Sequence, residues 1–125
     1  MTETTTKAAK KSIEAPDEVL DFTKGRVHIV TIGGVSFDRA VFEPGWRWSE
    51  HMKQTAQTES CEFPHRFFVT EGSLHVRMDD GTELEVTPGD AAVVAPGHDA
   101  WVSSDVPCVM WGIDGEDQDW GKPAE

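Results

Sequence analysis

An antiparallel all-β fold, a sandwich or barrel in a single domain, is what this sequence predicts, on three observations. Short runs of β-branched and aromatic residues recur at regular spacing. Turn signals close them: Gly33-Gly34, Pro44-Gly45, Asp79-Asp80-Gly81, Pro88-Gly89-Asp90 and Pro96-Gly97. Between the two ends, no stretch carries the sustained 3.6-residue apolar period of a long helix. The length, 125 residues, suits one domain large enough to bury a core without disulfides.

Taken in order, residues 1–20 are rich in threonine, lysine and alanine and are expected to form a flexible N-terminal tail. A short helical turn is predicted over residues 16–22, because Asp17 and Glu18 suit a helix N-terminus. The β domain is expected over residues 21–115. GRVHIVTI alternates and is β-branched, so it reads as a strand, and VSFDRAVFE follows it across the double glycine. WRWSEH is predicted as the next strand, MKQTAQTES as a loop, and HRFFVTEG as a strand with its turn. SLHVRM and TELEV form a hairpin about Asp80-Gly81, after which AAVVA, WVSS and PCVMWGI complete the set. Residues 116–125 form an acidic, Gly/Pro-broken C-terminal tail.

The formal charge of −12, from 23 acidic and 11 basic residues, repels phosphate backbones and anionic lipid, so neither nucleic acid nor a membrane is an expected partner. No apolar run is long enough to span a bilayer or to form a secretory signal, and a cytoplasmic location is expected. Two cysteines, Cys61 and Cys108, are too few for a disulfide framework. Cys108, in the apolar run VPCVMWGI, is expected to be a buried thiol.

Strand parity sorts the polar residues onto faces. In WRWSEH, Arg47, Ser49 and His51 share one face, with Trp46 and Trp48 on the other. Two tryptophans on an outward face would need a cover, which predicts a homodimer. In HRFFVT, His65, Phe67 and Val69 share a face, placing His65 above an apolar floor, while His75 and Arg77 are expected to face solvent. His51, Cys61, His65 and His98 all fall at strand ends or beside turns, where one interior could collect them. Imidazole with thiolate suits iron, zinc or copper better than magnesium or calcium.

Gly45 with His51, the run FFVTEGSLHV with Gly72, Pro88-Gly89-Asp90 and Gly97 stand at spacings over residues 45–97 that resemble the motifs of the cupin superfamily of small jelly-roll barrels. Gly45 followed by His51 reproduces the G-x5-H opening of the first cupin motif, and FFVTEGSLHV is similar to its closing strand, with Gly72 as the terminal glycine. Counting back from Gly72 places His65 at the family's glutamate ligand. Pro88-Gly89-Asp90 matches the start of the second motif, and Gly97 its second glycine. The second histidine of the H-x-H falls on Lys53 or on Cys61, depending on the end from which the insertion is counted. Ala95 stands at the second motif's proline, Ala100 at its histidine and Ser104 at its asparagine, with His98 two positions early.

The resemblance implies a jelly-roll barrel holding a transition metal (iron, zinc or copper) on His51 and His65, with Cys61 or His98 completing the set. It implies a small-molecule ligand or substrate, in a cavity for which Arg47, Phe67, Trp101 and Met110 are candidates. Arg47 would receive an anionic group. A metal-dependent enzyme of oxygenase, isomerase, decarboxylase or lyase type is expected. A non-catalytic binding or sensing domain, or a structural dimer with a vestigial site, stand as alternatives, since a fold alone does not fix a reaction.

Overall fold

The computed structural model describes residues 8–115. Nine strands and two helical turns succeed one another in that span. They are β1 Glu18–Phe22, β2 Gly25–Ile32, β3 Val35–Phe42, α1 Trp48–His51, α2 Lys53–Ala56, β4 His65–Glu71, β5 Leu74–Met78, β6 Glu83–Val86, β7 Ala91–Val94, β8 His98–Val102 and β9 Cys108–Gly115. All their pairings are antiparallel. A six-stranded sheet runs β1-β2-β3-β9-β4-β7, and a three-stranded sheet runs β6-β5-β8. This is the predicted all-β jelly roll, with the two sheets not hydrogen-bonded into a closed ring among the described residues.

The hairpin β2–β3 shows how local sequence sets register. Gly33 and Gly34 both take positive φ (60° and 81°), as a two-residue hairpin turn with the right twist demands, and Ile32 therefore faces Val35. With register fixed, alternation sorts β3: Ser36, Asp38, Ala40 and Phe42 are buried while Phe37 is exposed. In β8 the same rule buries His98, Ala100 and Val102 and turns Asp99 and Trp101 outward. The inner faces of both sheets meet in one core, in which Val27, Val69, Val76, Val86 and Cys108 are essentially inaccessible. Each such valine contributes about 1.5–3 kcal/mol by leaving water. Cys108 is the buried thiol expected, its pKa pushed up to about 11 by burial.

Three local expectations are corrected. Residues 16–22 contain a strand rather than a helical turn: β1 pairs with β2 from Glu18↔Ile29 to Phe22↔Gly25. WRWSEH is not a strand; Trp48–His51 and Lys53–Ala56 are helical turns, with Met52 N donating to Trp48 O and Ala56 N to Met52 O. The reason is burial at helical rather than alternating spacing, because Trp48, Met52 and Ala56 (i, i+4, i+8) are all buried. Trp46 and Trp48 accordingly face the core and not solvent, with Trp46 stacked on Phe42 at 4.1 Å. That removes the outward tryptophans as a ground for the expected homodimer. Of the predicted tails, residues 1–7 and 116–125 lie outside the described residues. Just ahead of β1, Lys11 and Asp17 are tied down: Lys11 Nζ donates to Thr31 O at 2.7 Å and Thr31 N to Asp17 Oδ2 at 2.9 Å.

Candidate metal centre and cavity

The connection between β7 and β8 assembles the site. His65 opens β4 and pairs with Val94 at the end of β7. The chain then turns through Ala95-Pro96-Gly97 to His98, the first residue of β8. Cys61 is held against that turn by its backbone, with Cys61 N donating to His98 O at 2.8 Å and Gly97 N to Cys61 O at 2.7 Å. Cys61, His65 and His98 thus converge, with one donor atom from each lying within 4.8 Å of the others. Cys61 Sγ is 3.5 Å from His65 Nε2, and the His65 and His98 rings meet edge-on at 5.2 Å.

The electrostatics are those of a neutral cluster, with Cys61 and His98 buried and His65 half-buried. Burial pushes the Cys61 thiol up to about 11. Burial, reinforced by His98, takes His65 down to about 3. His98 is lowered as well, again by burial, while its hydrogen bond to Ala95 works the other way. A thiolate–imidazolium pair, as a cysteine nucleophile needs, is therefore disfavoured. A thiol and two neutral imidazoles are instead what a divalent transition metal takes up, displacing the thiol proton.

The donor set fits such an ion. Tetrahedral bonds of about 2.0–2.3 Å place ligand atoms roughly 3.3–3.8 Å apart, so the cluster needs to close by about 1 Å at its widest. His98 Nδ1 lies 2.8 Å from Ala95 O, and donation to that carbonyl leaves Nε2 as the lone-pair nitrogen. Sulfur with nitrogen selects zinc, copper or iron over manganese.

All three residues line a cavity of about 80 Å³ between the sheets. Its wall is aromatic and aliphatic, including Phe22, Phe42, Trp46, Trp48, Phe63 and Phe67, with Asp38 as its one carboxyl among the described residues. Of the residues named for a substrate cavity, Phe67 and Met110 are among those lining this one, and Arg47 and Trp101 are not. Trp101 is turned outward by the parity of β8, stacking on His75 at 4.7 Å. Arg47 lies over that same ring at 4.2 Å and pairs with Asp99 at 3.2 Å. An arginine in this apolar interior would need a buried counter-charge, whereas outside it keeps both partners and water.

His51 does not join the cluster. It lies on the helical turn and is not among the converging donors, and its Nδ1 sits 3.0 Å from Arg47 N, from which it accepts. Asp38 also lines the cavity, and no motif in the sequence singles it out. Its inward parity, in a strand where Ser36, Ala40 and Phe42 also alternate, was the available signal.

No protein-family model matches the sequence, and no curated protein matches it significantly. Solved structures do match in shape. Ectoine synthase from P. lautus is 12% identical with a TM-score of 0.64, covering 91% of this chain and 81% of that one. The polyketide cyclase RemF from Streptomyces resistomycificus is 16% identical with a TM-score of 0.62, covering 89% and 82%. A cupin-like protein from Thermotoga maritima is 18% identical with a TM-score of 0.52, covering 74% and 69%. At such identities the likeness speaks for the fold, and the chemistry must be sought in the residues.

Proposed function

Because this chain has the cupin fold, we propose that it is a metal-dependent enzyme acting on a small, largely apolar molecule. Cys61, His65 and His98 would hold one zinc, iron or copper ion at the wall of the cavity. The observation that carries this reading is the convergence of three neutral soft-to-borderline donors on one apolar cavity. Three protein ligands leave a fourth position, as catalytic sites do and closed structural sites do not. When bound, such an ion polarises an oxygen of the substrate or activates water. Around it, Phe63, Phe67 and Met110 exclude bulk solvent and pack the apolar part of the substrate. Two of the structural neighbours carry names of enzymes, a synthase and a cyclase, so the fold is one that accommodates catalysis.

Elemental analysis of the purified protein tests this. About one equivalent of zinc, iron or copper is expected, falling at least tenfold in Cys61→Ala, His65→Ala and His98→Ala. His51→Ala is expected to keep its metal. Full metal retention in the Cys61 and His98 variants would overturn the assignment.

A homodimer is proposed as well, on a surface other than the one first expected. Phe37, Phe68, Val93 and Ile113 are exposed on the outer face of the six-stranded sheet. Register makes this a continuous patch: Phe37 faces Ile113, Phe68 faces Trp111, and Arg66 faces Val93. Arg39 and Arg66 stand among them on the same face. On a chain of charge −12, an apolar face whose Arg39 and Arg66 offset Glu14, held by Arg39 at 2.6 Å, is one where a second acidic copy meets little repulsion. Light scattering is expected to give twice the chain mass, reverting to one chain mass in Phe68→Glu; a monomeric parent would end the proposal.

A further inference from the structure

Asp38 stands apart from the rest of the cavity wall. It is 2% exposed, lies on the inner face of β3, and its Oδ2 has no hydrogen-bond partner. Space for the carboxyl is made by its cross-strand neighbour Gly112, where a Cβ would stand 2.8 Å from Oδ2 and 3.1 Å from Oδ1. A glycine inside a central strand weakens it, and here it marks a close approach that any side chain would block. Next along the inner face of β9 is Asp114, 3% exposed, both of whose oxygens lack a hydrogen bond, with Arg66 at 3.5 Å. A carboxyl buried without a cation of its own, beside a second carboxyl, is held in the protonated form. Trp46, also in the cavity wall, has a buried indole N–H without a partner. The wall therefore offers two unused donors in a lining that, apart from Cys61, His65 and His98, is otherwise apolar.

We propose that Asp38 is the acid–base residue of this cavity, donating its proton to a carbonyl or carboxylate oxygen of the small molecule bound there. This rests on the reading of the cavity as a substrate site given above. In the transfer the Oδ2–H bond breaks and an O–H bond forms on the occupant, leaving Asp38 as a carboxylate. That carboxylate is unstable beside Asp114 and in an apolar wall, so it takes the proton back when the occupant releases it. The raised pKa of Asp38, about 7 through burial and then the neighbouring Asp114, places the exchange near neutrality. The titratable and charged groups facing Asp38 are Asp114 on β9, with Arg66 from β4 against it, and His65, His98 and Cys61 across the cavity.

Acetate is a suitable probe, small enough for the cavity and carrying only acceptor oxygens. Its affinity is measured by calorimetry against pH for the protein as purified and for Asp38→Asn and Asp38→Ala, with metal content determined on each sample. The parent is expected to lose affinity as pH rises through neutrality, approaching about tenfold per unit above the titration of Asp38. Asp38→Asn, isosteric and still a donor, is expected to bind acetate without that component of the pH profile. Asp38→Ala is expected to bind at least tenfold more weakly at pH 6. Infrared difference spectra between the parent and Asp38→Asn are expected to show a protonated-carboxyl band at pH 6. A pH profile for Asp38→Asn that parallels the parent, absence of that band, or unchanged affinity in Asp38→Ala would each overturn the proposal. A parent free of metal would overturn the metal assignment instead, and the acetate and infrared measurements still decide on Asp38 in that protein.

Discussion

Alanine at Gly72 is expected to destabilise the protein by roughly 3 kcal/mol or more, enough to unfold a marginal domain. Two effects add at this position. Gly72 takes φ +69°, in the left-handed region where a Cβ costs about 1 kcal/mol. An added Cβ would also stand 2.4 Å from Pro107 O and 2.8 Å from Cys108 Cα. Those are backbone atoms at the start of β9, which bonds to both β3 and β4, so neither can swing aside. Gly89 provides the control, because its φ is +95° but nothing lies within 4 Å of its Cβ position. Chemical denaturation should show Gly89→Ala losing only the conformational part, about 1 kcal/mol, while Gly72→Ala loses that and the steric part. Equal losses in the two variants would mean that the approach to β9 relaxes freely.

The second large effect belongs to Asp38, and its sign is definite. Its folded pKa is raised to about 7, above the ordinary value of 3.8. Between those values the unfolded chain loses the proton while the folded chain retains it. Stability therefore falls as pH rises from about 4 to about 7, and flattens above. The full difference is of order 4 kcal/mol, an upper figure for a single buried carboxyl. Asp38→Asn does not titrate, so its stability relative to the parent should grow across that window and favour the variant at pH 8. Denaturation curves for both proteins at pH 4.5, 6 and 8 measure this. His65 acts in the opposite direction, being held neutral down to about 3, and is common to both proteins, so it cancels in the difference. A stability gain together with loss of the acetate pH profile would mark Asp38 as a group kept for function at the expense of the fold.

Turn chemistry and alternation were enough to determine the all-β class and most of its strands, β1 excepted, from sequence. Gly33-Gly34 sets the β2–β3 register, and period-two alternation puts His65, Phe67 and Val69 together on the inner face of β4. Both are local properties, encoded within a few residues, and the resemblance at Gly45, Gly72 and Gly89 drew on the same turns. Cys61, His65 and His98 were named as candidates because of their residue types at strand ends. Their convergence was decided by tertiary structure, since it depends on the β4–β7 pairing and on the Cys61–His98 bridge, which join positions far apart in the chain. His51 fitted a motif count but not the local backbone. Burial of Trp48, Met52 and Ala56 draws the chain into helical turns, and a helix does not keep a strand's parity. Trp101 went outside for a related reason, because which face of β8 is inner follows from sheet pairing and not from residue type, and Arg47 bridges to Trp101 and lies over its ring. Asp38 was the hardest to see. A single acidic residue in VSFDRAVF resembles any solvent-facing one, and only the sheets closing over it, with Gly112 clearing the space, make it a buried acid.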